Sequence, residues 1–228
     1  MQRSGRDCVT RAQVKAAIED IGIVPGIRVS DPERAYFAAE AVYHGGIPIA
    51  EITLTVPKAL HVIAQTAKQF PDMVIGAGTV LDAETAHRCL GAGARFLTSP
   101  GFIPEVVEFA LKHDIVVFPG ALTPSEVIAA WKAGSDFVKV FPCEALGGHL
   151  YIRSLKAPLP QIPLIASGGV NQHTAVDFIL AGSAALGIGN QLIPPEALYK
   201  RKAEQIHELA RRFLGMVKDA RAQKDNVA

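Results

Sequence analysis

Apolar positions along this chain follow two alternating rhythms. Short runs rich in Val and Ile occupy residues 23–29, 47–54, 73–80, 95–99, 115–121, 137–141, 162–168 and 184–189. Runs of that length and composition predict strands. The stretches between them are richer in Ala and Glu and open on helix-start signals: Asp31-Pro32-Glu33, Asp82-Ala83-Glu84 and Thr123-Pro124-Ser125-Glu126. A short polar side chain there accepts from a free backbone N–H, while Pro and Glu suit the first turn. Gly45-Gly46, Gly91, Gly134 and Gly182 mark expected helix ends.

Eight strand–helix units in 228 residues predict an α/β fold of the (β/α)8 barrel type, in one domain spanning residues 1–228. The rival, an open doubly wound sheet, usually carries a glycine fingerprint after its first strand. The turn here reads RVSDPERA and does not match it. Residues 9–21 read as an extra amphipathic helix ahead of the barrel, and 195–221 as one closing helix. Ile206, Leu209, Phe213, Leu214 and Val217 share a face of the latter, a stripe that suits core or subunit contact better than a cofactor box.

Composition narrows the partners. The formal net charge is +1, with both signs mixed along the chain and no basic stripe, which disfavours nucleic acid. The N-terminus, MQRSGRDCVT, has no apolar leader, and no run reaches the roughly 18–20 apolar residues of a membrane span. Cys8, Cys89 and Cys143 are far apart and odd in number, which argues against a disulfide framework and for a reducing cytoplasm. The seven histidines form no HxH, HxxxH or HExxH motif, so a dedicated metal site has no local support, although distant residues could converge on one.

Barrels of this type carry reactive groups at the C-terminal ends of their strands. Alternation along FVKVF puts Phe137, Lys139 and Phe141 on the inner face and Val138 and Val140 against the helices. Burying a lysine disfavours the ammonium, and a neutral amine can attack a ketone to form an iminium. The competing reading is a lysine that snorkels out or pairs with a carboxylate. Glu51, in IPIAEITLTV, alternates with apolar Ile52 and Leu54, a pattern that also describes a strand with one wet face. In a barrel it faces the same interior as Lys139, where one carboxylate can serve both proton transfers of an imine-based carbon–carbon cleavage. Glycine-rich turns close three strands: GAGTV (76–80), SGGV (167–170) and GIGN (187–190). The last two, with Gly168, Gly169 and Gly189, fall where such barrels often hold phosphate on backbone N–H groups.

Taken in order, GGIPIAEITL, GAGTV, FLTSPGF, FPGALTPSE, FVKVFP and SGGV resemble the 2-keto-3-deoxy-6-phosphogluconate (KDPG) aldolase family, also associated with 4-hydroxy-2-oxoglutarate (KHG) cleavage. The resemblance runs from about residue 24 to residue 198. It implies a class I aldolase on a (β/α)8 barrel, working without metal or cofactor and usually a homotrimer. The family's Schiff-base lysine falls on Lys139 and its acid/base glutamate on Glu51. The threonine that contacts the pyruvyl carboxylate falls on Thr79, beside Gly78, and the proline of SPG on Pro100. Phe141 neighbours the lysine. Ser167 replaces a threonine implicated in stereochemistry, and Asn190 stands where serine is common in the phosphate turn. The larger departure is Thr55, which occupies the place of a carboxylate-binding arginine. A hydroxyl cannot supply a bidentate charged contact, and Arg28 is expected to provide the positive charge instead.

The reaction expected from this resemblance is reversible cleavage of a 4-hydroxy-2-oxo acid to pyruvate and an aldehyde. The aldehyde would be glyceraldehyde 3-phosphate from the 6-phosphogluconate-derived acid, or glyoxylate from 4-hydroxy-2-oxoglutarate. The alternatives are an aldolase for another 2-keto-3-deoxy sugar acid such as the 6-phosphogalactonate, a phosphosugar isomerase, or a non-catalytic barrel that binds a phosphorylated metabolite. Each takes a small-molecule ligand.

Overall fold

In a computed structural model of the chain, which describes residues 9–225, the predicted runs form strands that all pair in parallel. They are β1 (Ile23–Ile27), β2 (Ile49–Thr53), β3 (Val74–Gly78), β4 (Phe96–Thr98), β5 (Val116–Phe118), β6 (Gly120–Ala121), β7 (Val138–Val140), β8 (Leu164–Ser167) and β9 (Ser183–Ile188). Their order is β5-β4-β3-β2-β1-β9-β8-β7-β6. The fifth predicted run is one stave in two pieces, interrupted at Pro119, which has no N–H to give a ladder. Its first piece pairs with β4 and its second with β7. Asp136 N donates to Val117 O and Lys139 N to Pro119 O, both at 2.9 Å. These bonds bridge the seam, so nine segments make an eight-staved barrel.

The intervening helices are α1 (Arg11–Ile21), α2 (Pro32–His44), α3 (Ala59–Gln69), α4 (Ala83–Gly91), α5 (Pro104–Lys112), α6 (Pro124–Lys132), α7 (His149–Lys156), α8 (Ala175–Leu180), α9 (Pro195–Tyr199) and α10 (Ala203–Asp225). The expected caps form: Asp31 accepts from Glu33 N at 2.9 Å, Asp82 from Thr85 N at 2.6 Å, and Thr123 with Glu126 makes a reciprocal capping box. Helix α4 ends at Gly91 as expected, and the left-handed turn falls two residues on, at Gly93 (φ +102°). One expectation is corrected. The stretch 195–221 is two helices rather than one, because Arg201 takes φ +48° and Lys202 N folds back onto Ala197 O at 2.8 Å. The stripe on α10 is core: Ile206, Phe213 and Val217 are buried, Leu209 and Leu214 half-buried, and the helix packs on α8 and α2.

Inside the barrel the side chains stack in layers. The rings of Phe96 and Phe118 stack at 5.1 Å, and Phe137 meets Phe118 edge-on at 6.1 Å. A Cβ on Gly76 would overlap the Phe96 ring, so this glycine makes room for that aromatic layer. The outward residues Ile52, Ala77, Val138 and Val140 are fully buried beneath the helices. Helix α1 packs against β5 and β9 at the opposite end from the strands' C-termini, burying Val14 and Ile18. There Arg11 Nε meets both carboxylate oxygens of Asp136, at 3.0 and 3.2 Å. Among the described residues no helix is long and apolar enough to cross a membrane. Cys89 and Cys143 are buried free thiols, and Cys8 lies outside the described residues.

Candidate active site

At the C-terminal ends of the strands the barrel opens into a cavity of about 290 Å³. Strand β7 delivers Lys139 to it and β2 delivers Glu51. Lys139 Nζ lies 3.3 Å from Glu51 Oε2, with side-chain exposures of 12% and 7%. Thus Lys139 faces inward and also pairs with a carboxylate. Neither group makes another side-chain hydrogen bond among the described residues. An ammonium offers three donors and a carboxylate about four acceptor sites, so both keep capacity for a bound molecule. The ring of Phe141 has its centroid 5.8 Å from Lys139 Nζ. Phe137, expected as a second flanking ring, belongs to the aromatic layer, and Lys15 of α1 approaches it from below at 5.9 Å.

Most of the remaining candidates reach the same cavity. Arg28, Thr79 and Pro100 line it from the ends of β1, β3 and β4. Ser167 and Gly168 line it from β8, and Gly189 and Asn190 from β9. Arg28 is exposed, lines the cavity and makes no hydrogen bond or ion pair among the described residues. Thr79 has φ +63°, a left-handed conformation that costs a β-branched residue about 1–3 kcal/mol. Strain of that size concentrates at functional sites.

Three candidates do not line the cavity. Thr55 is exposed and its hydroxyl bonds Thr53 Oγ1 at 2.8 Å. Gly169 (φ +83°) turns toward Glu144, whose side chain occupies the space a Cβ would need. Gly78 acts by what it lacks, since a Cβ there would overlap the Glu51 carboxylate. Sequence reasoning missed Val24, Gly26, Thr53, Gly187 and Ile188, which also line the cavity. For the first four the signal was present: each stands an even number of residues from Arg28, Glu51 or Gly189 on its own strand, the spacing that keeps a side chain on the inner face; Ile188 breaks that spacing. Gly187 leaves room for the Ser167 hydroxyl, which an added Cβ would approach to 2.9 Å.

Burial pushes the Cys143 thiol up to about 12 and the Cys89 thiol up to about 11. Both thiols are therefore protonated near neutral pH, and neither lines the cavity. No cluster of three or more His, Cys, Asp or Glu side chains among the described residues is arranged to hold a metal ion. A wider groove of about 520 Å³ lies outside the barrel along α2 and α3, away from the strand ends where these groups converge.

Comparison with known proteins identifies the family. The family profile for KDPG and KHG aldolases matches residues 14–209. A 2-dehydro-3-deoxy-phosphogluconate aldolase of Treponema pallidum (strain Nichols) is 30% identical over 201 residues, covering 88% of this chain and 96% of the relative. A KHG/KDPG aldolase of Escherichia coli (strain K12) is 32% identical over 189 residues, or 83% and 89% of the two chains. The crystal structure of KDPG aldolase from Legionella pneumophila, with pyruvate captured as a covalent carbinolamine, superposes with a TM-score of 0.81 at 32% identity, covering 87% of this chain and 97% of that one. With most of its length matched by the family profile and by these relatives, this chain belongs to the KDPG and KHG aldolase family.

Proposed function

We infer that this chain is a class I aldolase, an aldehyde-lyase that cleaves a 4-hydroxy-2-oxo acid to pyruvate and an aldehyde through an imine on Lys139. The observation that carries the reading is the 3.3 Å Lys139–Glu51 pair, set in the cavity at the strand ends with hydrogen-bonding capacity unused. Glu51 takes a proton from the ammonium, and the freed Nζ attacks the C2 ketone to give a carbinolamine. Glu51 returns the proton to the departing hydroxyl, and water leaves the iminium. Glu51 then removes the C4 hydroxyl proton as the C3–C4 electron pair flows into the iminium, releasing the aldehyde and leaving an enamine. Protonation of C3 and addition of water give pyruvate and the free lysine.

Arg28 and Thr79 hold the C1 carboxylate, with the guanidinium standing in for the arginine absent at Thr55. The glycine turns at Gly168 and Gly189, with Ser167 and Asn190, receive the aldehyde half. The substrates are 2-dehydro-3-deoxy-6-phosphogluconate, which yields glyceraldehyde 3-phosphate, and 4-hydroxy-2-oxoglutarate, which yields glyoxylate. The Treponema 2-dehydro-3-deoxy-phosphogluconate aldolase and the Escherichia KHG/KDPG aldolase support this pair, and the captured carbinolamine of the Legionella enzyme supports the imine route. The scattered cysteines favour a cytoplasmic setting. The family resemblance favours a homotrimer, which sedimentation would register as three times the 24.3 kDa chain mass.

Adding pyruvate with borohydride tests the central step. The expected result is irreversible inactivation and a mass increase confined to the peptide carrying Lys139. An unmodified Lys139 at saturating pyruvate would overturn the imine mechanism.

A further inference from the structure

A second cavity, of about 220 Å³, adjoins the first and shares Arg28 and Asn190 with it. The loop from β1 into α2 and the short helix α9 form its walls, with Ser30, Arg34 and Tyr199 on its surface. Two guanidinium groups line it, and no carboxylate does. Arg34 is held in place rather than free to wander. Its Nε pairs with Asp31 Oδ2 at 3.5 Å, and its guanidinium carbon lies 3.9 Å from the centroid of the Tyr199 ring. Asp31 is itself occupied at the start of α2, where its other oxygen accepts from Glu33 N. The Arg34 terminal nitrogens make no hydrogen bond among the described residues. A stacked guanidinium with one edge pinned and the other open is pre-organised to take an oxyanion.

The sheet order sets the groups around the mouth in a row, with the annex beside Arg28 and Asn190. Around the mouth, β3, β2, β1 and β9 follow one another, carrying Thr79, Glu51, Arg28 and Asn190. With the C1 carboxylate between Thr79 and Arg28, the other end of the molecule points past Asn190. The main cavity, about 290 Å³, sits at the lower edge of the roughly 300–1,000 Å³ usual for small-molecule sites, and the annex extends the space open to a longer substrate. The second carboxylate of a five-carbon oxo diacid follows directly on the cleaved bond and stays in the main cavity. A phosphoryl group at the end of a six-carbon chain reaches farther.

We propose that Arg34, steadied by Tyr199 and assisted by Ser30 and Asn190, is a specificity-determining residue that binds the terminal phosphoryl group of the substrate's aldehyde half. This assignment rests on the aldolase reading above and is tested separately from it. The rates of Arg34→Gln and the unaltered protein are compared on the 6-phosphate acid, on its unphosphorylated counterpart and on 4-hydroxy-2-oxoglutarate. The expected result is a KM about 10- to 100-fold higher for the phosphorylated acid alone, the range for losing a charged hydrogen bond, with kcat little changed. Arg34→Lys should recover part of that loss, because it restores charge without the fork. Equal effects on all three substrates, no effect, or a larger penalty on the oxoglutarate would each overturn the proposal. Trapping of pyruvate on Lys139 should proceed equally in Arg34→Gln, which shows the imine site intact. Failure of trapping in the unaltered protein sinks the aldolase reading instead. Should Arg34→Gln not fold, Ser30→Ala, at an exposed position, makes the same comparison with a rise of about 3- to 10-fold.

Discussion

Two buried ion pairs stand at opposite ends of the barrel, and they are built differently. At the floor, Asp136 accepts from Arg11 Nε through both oxygens and from Val117 N at 2.9 Å, while Arg11 also donates to Gly134 O at 3.3 Å. At the mouth, Lys139 and Glu51 share a single contact of 3.3 Å, and Gly78 keeps the space beside the carboxylate empty. The floor pair has spent much more of its hydrogen-bonding capacity and ties α1 to the seam of the barrel. The mouth pair has not, and its unused capacity faces a cavity. Burial and opposite charge are common to both, so neither separates structure from chemistry. The degree of hydrogen-bond saturation does.

Substitution can break this contrast. The largest expected effect is at Lys139: Lys139→Met removes the amine and lowers kcat by at least about 10⁴-fold, measured by pyruvate release. Because Glu51 borders an open cavity that water can enter, the change in melting temperature should be smaller than at the floor. Asp136→Ala reverses the pattern. Removing one partner of a buried pair strands Arg11 and Val117 N, so chemical denaturation should show a loss of about 3 kcal/mol or more, with kcat per folded molecule unchanged. A loss at Lys139→Met equal to that at Asp136→Ala would erase the distinction. The smallest effect sharpens it. Gly78→Ala pushes the Glu51 carboxylate off its position without removing any reactive group, and misplacement on that scale should lower kcat about 100-fold. Full activity in that variant would show that the carboxylate needs no such clearance.

The sequence made the inner faces of the staves readable, because alternation along a strand follows from backbone geometry alone. Lys139 and Glu51 faced each other on that argument, and so did Arg28. Thr55 escaped it. The alternation runs on through residue 55, but β2 stops at Thr53, and Val56 N turns back to Thr53 O at 3.0 Å, sending Thr55 to the surface. Gly78 escaped for the opposite reason, since its role is an empty volume that only the neighbouring Glu51 defines. The break between α9 and α10 had no glycine or proline to announce it. Arg201 occupies the left-handed turn, which tertiary packing rather than intrinsic preference must hold. The interruption in the fifth stave was legible in principle, because Pro119 stands within an apolar run.

That interruption ties reactivity to assembly. The amide of Lys139 donates to Pro119 O, joining the sixth stave to the broken fifth, where the first half of the chain meets the second. Glu51 comes from that first half, 88 positions earlier. A nascent or partly unfolded chain therefore holds its lysine and its carboxylate on separate fragments, and the two come within 3.3 Å only in the closed cylinder. Any chemistry that needs both groups is confined to a chain whose architecture is complete, and hydrogen exchange at the Lys139 amide would report when the two halves join.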